Sequence, residues 1–154
     1  MLDSSLIKVD LALESQKEVF QYLANLVVDN GYANDSDKVI QALFEREAEG
    51  TTGMMDGYAI PHAKTEAILN PCVCVLKLQK GIDWQSMDGN PTKYVIGLFV
   101  PDNQASTTHL QLLSKIARLL MKNEFKAKFE QAKLPNEVME LLKEEMNEGD
   151  VSND

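Results

Sequence analysis

The sequence predicts an α/β domain, a central sheet covered by helices on both faces and folded as one compact unit. Two observations carry this prediction. Apolar runs of strand length alternate along the chain with segments whose apolar residues recur at helical spacing. The 154 residues, 44% of them hydrophobic, suit one domain with a proper core and show no internal repeat or linker.

Taken in order, Ile7, Val9, Leu11 and Leu13 alternate loosely within Leu6 to Leu13 and predict a first short strand. Ser15 and Glu18 form a capping-box pair ahead of Val19, Phe20, Leu23, Leu26 and Val27, a helical series that Gly31 stops. A second helix starts behind Asp35 or Ser36 and runs to about Glu49, burying Val39, Ile40, Ala42, Leu43 and Phe44. Tyr58, Ala59 and Ile60 are long enough for a short strand that Pro61 stops. Cys72 to Leu78 carries apolar residues on both faces and so predicts a strand buried on each. Asp88-Gly89 is a hairpin signal, and the sole tryptophan, Trp84, is expected to pack. Tyr94 to Val100 is the most apolar run and is expected to be central, ending at Pro101. A helix from about Ser106 to Met121 presents His109, Leu112, Leu113, Ile116 and Leu120 on one stripe. Glu124 to Ala132 forms a short helix. Pro135 opens the last one, with Val138, Leu141, Leu142 and Met146 inward and a mobile acidic tail over 149–154.

Composition removes several function classes. A net charge of −9 argues against nucleic acid and anionic membranes as partners, and is compatible with docking on a basic protein surface. No run is long enough to span a bilayer, and the N-terminus has no signal-peptide pattern, so a cytoplasmic location is expected. Cys72 and Cys74, two apart on a strand, read as reduced core thiols.

The stretch Gly50 to Lys64, G-T-T-G-M-M-D-G-Y-A-I-P-H-A-K, is the candidate site. Its three glycines predict sharp turns or positive φ more than once. His62 follows Pro61 at once, which places it where a strand meets a turn, a common seat for a reactive side chain. The plain alternative is a loop histidine with no role. Arg46 and Glu47 fall on or beside the buried stripe of the second helix, near its last turn. Either a frayed end leaves them solvated, or Arg46 points into the Gly50–Lys64 stretch to hold an anion. His109, on the inward face of a first turn, reads by default as a core histidine capped by a carbonyl.

No phosphate loop, dinucleotide fingerprint or zinc-protease motif is present, and the Cys72–Cys74 spacing does not suit zinc, so neither a metal nor a cofactor is expected. A histidine can also act as a nucleophile that carries a covalent group. Phosphoryl transfer would then need cations and N–H donors around it, for which Arg46, His109 and the glycine-rich backbone are available.

G-Y-A-I-P-H-A-K, preceded by R-E-A-E-G-T-T-G and followed by T-H-L-Q-L-L-S-K-I-A-R-L-L, closely resembles the enzyme IIA component of the bacterial phosphoenolpyruvate-dependent sugar phosphotransferase system, in its fructose–mannitol class. The resemblance runs from about residue 7 to 145 and implies a mixed sheet and a phosphotransferase-system IIA type-2 domain over 1–148. It implies that His62 is phosphorylated through Nε2, taking the group from the phosphocarrier HPr and passing it to a cysteine of a IIB component. It matches His109 to the family's second active-site histidine and Arg46 to its arginine. Tyr58 stands where many members have a smaller aliphatic residue, which is expected to alter the pocket wall. A parallel regulatory phosphotransfer chain and a binding module are the rival readings. I-D-W-Q-S-M-D-G favours fructose over mannitol or another hexitol as the sugar.

Overall fold

The computed structural model describes residues 2–104, 107 and 110–151. After a 3₁₀ turn over Ser4–Leu6, the elements are β1 (Ile7–Leu11), α1 (Gln16–Asp29), α2 (Ser36–Glu49), β2 (Tyr58–Ala59), β3 (His62–Lys64), β4 (Cys72–Ile82) and β5 (Thr92–Val100), then α3 (Leu110–Leu120), α4 (Asn123–Gln131) and α5 (Pro135–Val151). The strand order is β1-β4-β5-β2, with β3 continuing the β2 edge along β5. β4 and β5 are antiparallel, whereas β1 runs parallel to β4 and both β2 and β3 run parallel to β5. The sheet is therefore mixed and central, as expected.

Helices cover both faces because β4 and β5 are apolar on both. Cys72, Cys74, Leu76 and Leu78 pack with Phe20, Leu23, Val39 and Leu43 of α1 and α2. Val73 and Val75, which alternate with them, pack with Ile116, Phe125, Phe129 and Val138 of α3, α4 and α5. Ser15 Oγ accepts from Glu18 N to start α1, and Asp35, not Ser36, caps α2 by accepting from Lys38 N.

Several boundaries differ from expectation. β1 stops at Leu11 after a register shift between Lys8 and Leu11, a stretch in which Asp10 has a φ of 57°. β4 runs on to Ile82, and Gly89 N–H donates to Ser86 O in the turn that joins it to β5. The last helix continues to Val151, past the expected start of the tail at 149, and 152–154 lie outside the described residues. The expected helix start near Ser106 and His109 also lies outside them, so α3 is described from Leu110. Trp84 does pack, edge-on against Phe20 at 5.6 Å.

Candidate active site

His62 opens a strand instead of sitting in a turn. Ile60 and Pro61 separate β2 from β3, and the Pro61 carbonyl still accepts from Leu98 N–H at 3.0 Å. The ladder resumes with His62 opposite Leu98, which fixes the histidine backbone against the middle of the sheet. The residue is 6% exposed.

Among the described residues, two partners hydrogen-bond the ring. Nδ1 lies 2.9 Å from the Ile60 carbonyl, and Arg46 Nε–H donates to Nε2 at 2.9 Å. A carbonyl can only accept and a guanidinium can only donate. The ring is therefore neutral, with its proton on Nδ1 and its lone pair on Nε2 facing a permanent cation. Arg46 also donates from Nη1 to Gly50 O at 2.8 Å, so it closes the C-terminal end of α2, where a positive group is favoured. Of the two orientations open to Arg46 from sequence, the structure shows the one that reaches the Gly50–Lys64 stretch.

The glycines serve different ends. Positive φ occurs at Asp56 (61°) and Gly57 (86°). At Gly53, a Cβ would lie 2.8 Å from both Ser86 Cα and Trp84 Cδ1, so glycine is required there by close approach. That approach brings Trp84 Nε1 to 3.2 Å from Thr52 Oγ1, to which it donates. Thr52 in turn donates from N and Oγ1 to the Glu47 carboxylate, at 2.7 and 2.6 Å. Thr52 did not stand out in the sequence, since Thr-Thr-Gly reads as an ordinary loop. Glu47 did, as a charge beside a buried stripe.

His109 lies outside the described residues, so its relation to His62 and Arg46 is left to the sequence. Tyr58 is fully buried, with its ring against Tyr94 and Phe129 and its hydroxyl donating to Glu130 at 2.8 Å. The larger side chain thus ties β2 to α4. Cys72 and Cys74 are free and buried, and burial holds the Cys74 thiol well above its usual pKa, so it is an inert core thiol.

Residues 1–145 match the family model described as phosphoenolpyruvate-dependent sugar phosphotransferase system, EIIA 2. The chain belongs to this EIIA family. It is 36% identical over 139 residues to the fructose-specific EIIA component of Haloferax volcanii, covering 90% of each chain. It is 33% identical over 141 residues to the mannitol-specific enzyme IIA component of Staphylococcus aureus, covering 90% of this chain and 92% of that one. Its fold resembles the crystal structure of the nitrogen regulatory protein IIA-Ntr from Neisseria meningitidis with a TM-score of 0.84, at 26% identity over 91% of this chain and 94% of that one. It also matches longer relatives described as EIIABC components, of which it spans 22% or less. Among the described residues, no helix of this EIIA protein is long and apolar enough to cross a membrane.

Proposed function

We propose that this EIIA protein is a histidine phosphocarrier, with His62 as the nucleophile and Arg46 and His109 stabilising the phosphoryl group and the transition state. The observation that carries this reading is the 2.9 Å contact between Arg46 Nε and His62 Nε2. It sets an uncharged lone pair beside a permanent positive charge, the arrangement a phosphoryl acceptor needs. The donor is HPr carrying a phosphohistidine. His62 Nε2 attacks phosphorus, a new N–P bond forms, the donor's N–P bond breaks, and that electron pair returns to the donor nitrogen. Nδ1 keeps its proton on the Ile60 carbonyl throughout. For Nε2 to reach phosphorus, the Arg46 guanidinium shifts from the nitrogen onto the phosphoryl oxygens, where its fork of donors fits.

The second transfer sends the group to the thiolate of a IIB-component cysteine, forming S–P and breaking N–P, in the cytoplasm. The names of the EIIA relatives point to a fructose-type sugar or a hexitol as the substrate taken up by the wider system. The close fold match to a nitrogen regulatory IIA supports a second reading, in which the same phosphohistidine controls a regulatory partner. Incubation with phosphoenolpyruvate, enzyme I and HPr tests the shared core. The protein should gain one acid-labile phosphoryl group, and His62→Ala should gain none. No gain in the native protein would contradict both readings. Transfer onward to a IIB component separates transport from regulation.

A further inference from the structure

Behind His62 runs a chain of hydrogen bonds that the transfer itself does not use. The Glu47 carboxylate accepts the Thr52 N–H at 2.7 Å and the Thr52 hydroxyl at 2.6 Å. Because that hydroxyl donates to Glu47, its lone pairs are open to Trp84 Nε1–H, which donates to it at 3.2 Å. The Thr52 carbonyl accepts from Ile60 N–H at 2.9 Å. The Ile60 carbonyl then accepts from His62 Nδ1.

We propose that Glu47 and Thr52 are positioning residues for His62, fixing the Ile60 carbonyl that holds Nδ1–H and thereby aiming Nε2. Three features support this. Thr52 is 4% exposed and lies between Gly50 and Gly53, in a backbone with little stiffness of its own, yet its amide, carbonyl and hydroxyl are all engaged. The bonds that hold it are short and charge-assisted, the strongest class available to a loop. Glu47 is also the chain neighbour of Arg46. One helical turn therefore addresses both ring nitrogens, with Arg46 acting directly on Nε2 and Glu47 acting through Thr52 and Ile60 on Nδ1. A carboxylate that only anchored a loop would have no reason to end on the peptide that orients the nucleophile.

The kinetic consequence rests on the proposed phosphocarrier role of His62, whereas the geometric one does not. The test therefore reads both. In the ¹⁵N-histidine-labelled, unphosphorylated protein, exchange of His62 Nδ1–H with water is measured by NMR. Phosphoryl acceptance from phospho-HPr is measured in single turnover. In Glu47→Gln and Thr52→Val, Nδ1–H should exchange at least about tenfold faster, while the Leu98 amide in β5 keeps its protection. Acceptance should slow by about ten- to a hundredfold, the size seen when the orienting partner of a metal-bound histidine is lost. Thr52→Ser, which keeps the hydroxyl, should restore both. Thr52→Val leaves the amide bond to Glu47 in place and so serves if Glu47→Gln does not fold. Unchanged Nδ1–H exchange in a folded variant would overturn the proposal, whatever the rate does. Faster exchange at normal acceptance would also overturn it. If the native protein accepted no phosphate while exchange still responded, positioning would stand and the phosphocarrier reading would fall.

Discussion

Two buried basic side chains, His62 and Lys77, stand on strands of the same sheet, and their surroundings differ in one decisive respect. Lys77, 8% exposed, donates to the Phe129 carbonyl and, at 2.6 Å, to the Ala132 carbonyl, at the C-terminal end of α4. Its ammonium also sits 4.5 Å from the centroid of the Phe129 ring. These partners belong to one helix end, which a cation stabilises, so Lys77 fastens α4 to the sheet. Among the described residues, His62 Nδ1 meets the Ile60 carbonyl, and its other nitrogen meets the flexible side chain of Arg46. A base closed in by backbone carbonyls is a structural clamp. A base that keeps a lone pair behind a movable cation is equipped for chemistry.

The largest expected effect lies on the His62 side. Arg46→Ala should slow phosphoryl acceptance by about 10²–10³, on the order of 3–4 kcal/mol in the barrier, while melting near the native temperature. Stopped-flow or quench kinetics beside a thermal melt checks this, and a large fall in melting temperature with normal transfer would make Arg46 a structural residue.

Lys77→Met should show the reverse. Leaving two carbonyls without their donor should cost about 1–3 kcal/mol of stability by denaturant titration, with phosphoryl acceptance unchanged. The same residue gives a pH signature. Burial, followed by repulsion from Lys133, pushes the Lys77 pKa down to about 8, against the attraction of Glu130 and Glu137. Between about 8 and the ordinary lysine value of 10.5, the unfolded chain binds more protons at this site than the folded one. Its contribution to stability therefore rises with pH across that window and is lost as pH falls through about 8. Stability measured against pH should lose this rise in Lys77→Met.

The smallest effect is Tyr58→Phe, which removes the hydroxyl donated to Glu130 near the same helix end. About 1 kcal/mol of stability should be lost, with transfer again unaffected. A change in transfer would place Tyr58 in the pocket wall after all.

The sequence made the clamp and the site legible to very different degrees. The caps at Ser15 and Asp35, the two-sided apolar pattern of Cys72 to Leu78 and the central run ending at Val100 are local signals, and they located most of the elements. The extension of β4 through Gln79, Lys80 and Gly81 escaped notice because those residues are exposed and carry no apolar signal. A proline normally ends a strand, yet here β5 bridges the interruption through the Pro61 carbonyl, a long-range bond that no local pattern encodes. Arg46 and Glu47 stood out because charges beside a buried stripe need partners. Arg46 could already be set beside His62 from the sequence, whereas Thr52, the partner of Glu47, could be paired with it only once the chain had folded. Lys77 was hidden for the same reason. It sits among apolar strand residues, and the carbonyls that accept from it belong to Phe129 and Ala132, more than fifty positions along in sequence.

The most direct test of the role given to His62 is NMR of the phosphorylated, ¹⁵N-histidine-labelled protein. The expected result is phosphorus–nitrogen coupling at Nε2 of His62, with Nδ1 still bearing its proton. Coupling at Nδ1, or a phosphoryl group on any other residue, would contradict the arrangement in which Ile60 holds one nitrogen and Arg46 presents the other.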